Sequence, residues 1–411
     1  MSRPTILVVG TLDTKGPEIE YLRAKVEGLG ASAIVLDSGI LGEAIGDGRV
    51  DISRQDVASA AGMTIDEVRA AGSRGAAVEI MVRGITAVTA RLFAKGRVHG
   101  VVTLGGAEGA LLGAAAMHAL PLGVPKVIVS PSASGRRSFA PFVGTKDVLV
   151  MHSVVDILGL NPISRSVFDN AAAAVVGMAR DAGTPVSDVG GRSVAVTMLG
   201  QTTPGVMHLR TILEPAGIDT VIFHANGVGG PAMEELIEAG AIAGVIEYSL
   251  SELANTIKDG IHAVGDSRLT VAGAHGLPQV VVPGCADFFN QGAPATLPEE
   301  YRQRKTYYHN PVATLVRLNP DEMAELGALI ASRLSSAKGP VSVVFPTRGF
   351  SLSDAPGGAL WDPEADAALL ETLRARLGDN VRLTEVDGNA NDLAVADAVA
   401  REYLAITQTN D

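Results

Sequence analysis

One short pattern occurs near the start of each half of the chain, and it fixes most of what the chain can fold into. Ile6–Leu29 reads ILVVGTLDTKGPEIEYLRAKVEGL, and Val194–Leu213 reads VAVTMLGQTTPGVMHLRTIL. Each is an apolar run rich in Val and Ile, then a Gly/Thr turn, then an amphipathic helix. Gly10 and Gly16 bracket the first turn; Gly200 and Gly205 bracket the second. A buried parallel strand hands over to its crossover helix in this way, gathering backbone N–H groups at the helix N-terminus, where a phosphate or carboxylate is well placed. Two such handovers in 411 residues predict two α/β domains, 1–185 and 190–411, with mostly parallel open sheets.

Composition agrees. Hydrophobic residues make up 47% and charged residues 19%, with few aromatics and 47 glycines, as suits buried sheets under close-packed helices. Strand–helix alternation follows in both halves. Strands are predicted at Thr5–Val9, Ala33–Asp37, Val98–Leu104, Lys126–Ser130 and Asp147–Met151, then at Ser193–Met198, Thr220–His224, Gly244–Glu247, Gln279–Pro283, Val341–Phe345 and Arg382–Glu385. Leu41–Gly72 is an excursion with Ser53 and Thr64 as helix N-caps, of a length suited to a lid or an oligomer contact. Thr184–Arg192 is the predicted linker. The net charge of −12 and the lack of a basic stripe argue against nucleic-acid binding. Cys285 is the only cysteine, the N-terminus lacks the apolar core of a signal peptide, and no apolar run approaches the ~18 residues that span a bilayer. These features predict a cytoplasmic protein that binds no membrane.

The motifs with chemical content sit at strand ends. GTLDTKG offers Thr11, Thr14 and Lys15 to phosphate oxygens and Asp13 to Mg²⁺ or a ribose hydroxyl, or is simply a strand-to-helix cap. LGGAEG, with Gly105, Gly106 and Gly109, lets amides cradle phosphate, or merely allows close helix–sheet packing. Ser130, Ser134 and Gly135 follow another strand, and Gly144–Asp147 forms a fourth loop. Four such loops point to a nucleotide-sized anionic site in the first domain. In the second, Thr202 and Thr203 occupy GQTTPG, and His224, Asn226 and Gly229 occupy HANGVGG. Glu247 and Asp287 end strands as candidate acids or bases, with a salt bridge as the plainer role for Glu247; Cys285 reads as a small core group. YRQRKTYYHNP concentrates bases and aromatics around His309, and Arg348 suits a carboxylate or phosphate. No HExxH, CxxC, GxSxG or Walker A pattern occurs.

Taken in order, VGTLDTKG, LGGAEG, VGTKDVLVMHSVVDILGLN, GQTTPGV, FHANGVGGPAMEELI, VVVPGCADFFN, RKTYYHNP and DAPGG resemble the tomato tobamovirus-resistance protein family over about residues 4–404. That family joins a plant protein, whose ATP-binding region blocks viral RNA replication, to bacterial and fungal homologues. The resemblance implies two Rossmann-like subdomains, nucleotide binding in the first, and a homodimer or higher homo-oligomer. ATP contacts would then fall among Gly10, Thr11, Asp13, Thr14, Lys15, Gly105, Gly106, Glu108, Gly109, Ser130, Ser134, Gly135 and Thr145, with Mg²⁺ on Asp13 or Glu108. Glu108 departs from the GGSGG-like family loop and brings a carboxylate to the phosphates. Virus inhibition depends on a partner surface and is not carried over, and the plant members' additional C-terminal domain is not part of this chain.

The expected function is ATP(Mg) binding with a small acidic metabolite held by the second domain and the cleft between domains, for phosphoryl transfer or acid activation. Asp287, Glu247 and His224 are the candidate catalytic groups. Thr202, Thr203, Asn226, Gly229, His309 and Arg348 are the candidate substrate contacts. The alternatives are a non-catalytic, nucleotide-regulated binding module, and an ATP-independent sugar-acid or lactone enzyme using His224, Asp287 and His309.

Overall fold

The structure is a computed structural model describing residues 3–46, 48–133, 139–182 and 193–408. The predicted linker and the candidates Ser134 and Gly135 fall outside those residues. The chain divides into two compact units, Met1–Val189 and Gly190–Asp411.

The first unit has strands β1 (Thr5–Gly10), β2 (Ser32–Asp37), β3 (Gly100–Leu104), β4 (Lys126–Ser130) and β5 (Leu149–His152). All are parallel, in the order β2-β1-β3-β4-β5. The period-two alternation of a strand sends Ile6 and Val8 to one face and Leu7 and Val9 to the other. The Ile6 face is covered by helices α1 (Leu12–Gly28) and, further along the chain, Pro162–Asp181; Ile19, Leu22 and Val26 form the buried stripe of α1. The excursion supplies short helices α2 (Arg54–Ala60) and α3 (Ile65–Arg69) and the long α4 (Arg74–Ala94), which cover the other face with α5 (Ala107–His118). Ser53 and Thr64 both close capping boxes, with Asp56 and Glu67. Helix α1 begins with one turn at Leu12, breaks at Lys15 (φ −129°, ψ 22°) and resumes at Pro17, whose missing N–H is harmless in a first turn.

The second unit repeats the plan. Strands β6 (Val194–Met198), β7 (Thr220–His224), β8 (Gly244–Glu247), β9 (Gln279–Val281), β13 (Val341–Pro346) and β14 (Val381–Val386) form a parallel sheet in the order β14-β13-β9-β8-β6-β7. Between β9 and β13 lies an addition to the expected plan: β10 (Phe288–Gln291), β11 (Thr306–Asn310) and β12 (Ala313–Arg317) form a separate antiparallel sheet. The fold class is α/β with mostly parallel sheets. No helix among the described residues is long and apolar enough to cross a membrane.

Candidate functional site

In each unit the first strand sends its chain one way along the sheet and the third strand continues on its other side. The reversal falls between β1 and β3, and again between β6 and β8. Loops leaving the carboxyl ends of such a strand pair diverge to opposite faces and leave a crevice.

In the first unit the crevice is a cavity of about 460 Å³ lined by the loop after β1 and the loop after β3. It therefore brings together Thr11, Asp13, Thr14, Lys15, Gly106, Glu108 and Gly109. Helices α1 and α5 both start here, and neither N-cap residue, Thr11 or Gly106, caps its helix with a side chain; the Leu12 N–H of α1 is taken by Asp37. Thr11 and Thr14 hydroxyls lie 2.9 Å apart. A Cβ built on Gly106 meets nothing within 4 Å, and one on Gly109 would stand 3.9 Å from Thr11 Oγ1. Two glycines act differently from expectation: a Cβ on Gly10 would overlap Ile19, and one on Gly105 would overlap the Gly109–Ala110 backbone. Neither lines the cavity; both permit packing.

The far wall comes from the excursion. Asp37 ends β2, where many dinucleotide folds offer an acid to ribose. Here it is buried, paired with Arg54 Nε at 2.8 Å, and accepts the Leu12 and Gly39 N–H groups, so it serves as a hinge post. Asp13 Oδ2 accepts from Leu41 N at 3.1 Å and Gly42 N at 3.2 Å, fastening that wall to α1. Arg74, at the start of α4, forms an ion pair with Glu108, which raises the guanidinium pKa. Arg74 neutralises the carboxylate that departs from the family loop, and nothing in the spacing of the sequence announces it. Ile40, Leu41, Arg74 and Glu108 also border an adjoining cavity of about 510 Å³, whose wall includes Ala70 and Ala77. Of the described residues of the third and fourth loops, none of Ser130, Gly144, Thr145, Lys146 or Asp147 is among the residues that line either cavity. Ser130 is buried and accepts from Ser132 N at 3.2 Å. Thr145 is in neither lining, and Asp147 is bound to the buried Lys126 at 2.6 Å.

The second unit holds a cavity of about 260 Å³ beyond the ends of β6 and β7, closed by the antiparallel sheet. Its wall contains Gly200 and Gln201 from the loop after β6, His224 and Asn226 from the loop after β7, and Asn290, His309 and Asn310 from the antiparallel sheet. His262 completes a group of three imidazoles; burial, then His224 and His309, push its pKa down to about 4. His262 lies in an irregular stretch with no motif around it, so only the fold reveals its place.

Several second-domain candidates stand elsewhere. Glu247 is buried, gripped by Arg268 and by the Thr197 hydroxyl at 2.9 Å, so both carboxylate oxygens are occupied and it is no base for the cavity. Asp287 is fully buried against Ser351 Oγ at 2.8 Å, behind the wall; it does not join His224 and His309. Thr202 is buried and bonded to Leu199, and Thr203 opens the next helix outside the lining. A Cβ on Gly229 would overlap the His224 carbonyl, so that glycine serves packing. Arg348 pairs with Asp387 on the surface, which raises its pKa. Cys285 is buried, which raises its thiol pKa well above the ordinary value. Among the described residues no group of three His, Cys, Asp or Glu side chains is placed to hold a metal ion.

Models of a family described as "Uncharacterised protein family (UPF0261)" match residues 4–184 by their N-terminal domain and 192–407 by their C-terminal domain. A UPF0261 protein of Clostridium tetani is 38% identical over 402 residues, 97% of this chain and 98% of its own length. The ToMV resistance protein Tm-1(GCR237) of Solanum lycopersicum is 33% identical over 427 residues, 98% of this chain but 56% of the tomato protein. Among solved structures, a putative UDP-N-acetylglucosamine 2-epimerase from Listeria monocytogenes is similar over 68% of this chain and 79% of its own, at 11% identity and a TM-score of 0.23, too low to bear on function.

Proposed function

This chain belongs to the UPF0261 family, and from that premise we propose that its first unit binds ATP in the crevice between β1 and β3. The observation that carries this is the convergence of the GTLDTKG and GGAEG loops on one cavity, with the uncapped N-terminus of α5 and Lys15 on its wall. Phosphate oxygens would meet the helix amides, the Thr11 and Thr14 hydroxyls and Lys15. The adjoining cavity has the apolar wall that a base and ribose need. Mg²⁺ enters only as a companion of the phosphates, with Asp13 and Glu108 the carboxylates on the cavity wall. A hexacoordinate ion keeps most of its water in such a setting, so the absence of a protein-only ligand cage does not count against it.

The second ligand in this proposal is a small acidic metabolite in the second unit, and phosphoryl transfer or acid activation is the reaction class that uses both. A nucleotide-regulated binding module is the rival reading. One observation favours it: Asp13 is held by two backbone N–H groups and Glu108 by Arg74, so both carboxylates on the wall are already engaged. A buried lone cysteine suits a reducing cytoplasm, and homo-oligomerisation remains part of the proposal.

Calorimetric titration with ATP, with and without Mg²⁺, is expected to show saturable binding that Lys15→Ala weakens about tenfold or more, the scale of one charge-assisted phosphate contact. Gly106→Val, which would fill the open space at the start of α5, is expected to weaken it as well. No heat from wild-type protein at millimolar ATP would end the proposal. ADP release on adding an organic acid would separate the enzyme from the binding module.

A further inference from the structure

Four carboxamides line the cavity of the second unit, and three of them have their orientation fixed by neighbours that can only donate. Gln201 Oε1 accepts from the Ser353 backbone N–H at 3.0 Å and from its hydroxyl at 2.9 Å. Asn310 Oδ1 accepts from the Val312 N–H at 2.9 Å. A backbone N–H never accepts, so the atom facing it must be the amide oxygen. Asn290 follows by one more step. Asn255 Oδ1 accepts the N–H groups of Asn290 and His262 at 2.8 and 3.2 Å, so the other end of Asn255 is its NH₂. That NH₂ donates to Asn290 at 3.2 Å, which makes the contacted atom Asn290 Oδ1.

In all three side chains the oxygen is committed to protein donors, and the NH₂ is left without a protein partner among the described residues. The wall thus presents amide donors beside three imidazoles, each of which, when neutral, has one N–H to give and one ring nitrogen that accepts. Among the described residues no Asp, Glu, Lys or Arg lines it, although the chain as a whole is acidic. A neutral polyol would bring as many donors as acceptors and would depend on the ring nitrogens to take its hydroxyl hydrogens, since the NH₂ groups cannot. A carboxylate brings acceptors only, and hydrogen bonds to its ionised oxygens are the stronger kind. Donors fixed in place hold such an ion without a counter-charge, because they need not reorganise when it arrives.

We propose that this cavity is a carboxylate site, in which Gln201, Asn290 and Asn310 present their NH₂ groups, with His224, His262 and His309, to a small organic acid. The volume of about 260 Å³ limits the ligand to a few carbons. The proposal deepens the acid half of the function above. It is tested without nucleotide, so its failure and that of the ATP reading are separable.

The experiment is titration of the whole chain with lactate, malate and citrate, against glycerol, erythritol and Zn²⁺ as probes. Two isosteric variants, Asn310→Asp and Gln201→Glu, keep the oxygen that accepts from Val312 or Ser353 and exchange the NH₂ for a second carboxylate oxygen. Saturable binding of at least one acid, weakened tenfold or more in each variant with an unchanged thermal melt, is the expected result. The variants lie on different elements, so misfolding of one leaves the other to decide. Binding of acids that neither folded variant alters, preference for the polyols, or response to Zn²⁺ alone would overturn the proposal, as would no binding of any acid.

Discussion

Arg268→Leu is expected to destabilise the second unit by about 3–5 kcal/mol at neutral pH, the range found when one partner of a buried ion pair is removed. Arg268 is 1% exposed. Its guanidinium binds both oxygens of Glu247, donates to Glu252 Oε2 at 2.6 Å and lies 3.7 Å from Glu234. Leucine would leave three buried carboxylates with no cation among them. Their remaining hydrogen bonds would not replace it, and each would have to take up a proton or be hydrated by an opened core. The damage reaches the cavity, because Glu252 Oε1 accepts the Gly227 and Gly230 N–H groups at 3.0 Å each and so shapes the loop that carries His224 and Asn226. Trp361 is the only tryptophan and lies in the second unit, so its fluorescence during urea unfolding isolates that unit's transition. The loss should be smaller at pH 5, where protonating the orphaned carboxylates costs less. A wild-type urea midpoint for Arg268→Leu at pH 7 would show that the cluster contributes nothing to stability.

The first unit was the more legible half because its site is made by backbone. A strand, a glycine turn and a helix are written in consecutive residues, and parallel topology then brings two such turns together at a fixed place. Thr11, Asp13, Thr14 and Lys15 therefore line one cavity with Gly106, Glu108 and Gly109. What spacing does not reveal is why a given glycine is there. Gly105 and Gly106 are neighbours with the same apparent meaning, yet one is required by packing and the other opens onto the cavity. Arg74 was invisible for another reason. It comes from the excursion, and only folding brings it to Glu108.

In the second unit the parallel frame was readable, but the cavity depends on the antiparallel sheet, whose strands are short and whose exposed members look like loop. Tyr307, Tyr308 and His309 are all exposed on β11. The hairpin signal is present as two β-rich runs on either side of residues 310–311, but the bases and aromatics of the first run mask its strand pattern. Asp287 and Glu247 show the converse. A carboxylate beside a strand end is equally a site residue or a buried partner, and the groups that decide, Ser351 for Asp287 and Arg268 for Glu247, lie tens of residues away in sequence.

Arg317 sets the second large effect, the response of stability to pH. Asp287, Asp354 and Asp366 are buried around this one guanidinium, and each keeps an oxygen without a hydrogen-bond partner. Three carboxylates cannot share one buried cation and all remain ionised. Burial first, then the neighbouring carboxylates, lift Asp287 to about 7 and Asp366 to about 8, while burial also raises Asp354. In the unfolded chain these groups titrate near 4. Between roughly pH 4 and 8 the folded state holds more protons than the unfolded state, so unfolding free energy must fall as pH rises through that window. Glu234, raised to about 7 by burial, adds in the same direction. His262 works oppositely, with its pKa lowered to about 4, but above the ordinary histidine value near 6.5 it has only about 0.4 kcal/mol left to contribute. Urea unfolding followed through Trp361 at pH 6.5 and 8.5 therefore isolates the acids. Wild type should lose stability over that interval, and Asp366→Asn, which keeps an oxygen for Arg317 but cannot ionise, should lose less, by roughly 1–2 kcal/mol. Equal slopes for the two proteins would mean that Asp366 is already ionised at neutral pH, and that Arg317 can balance more charge than its geometry suggests.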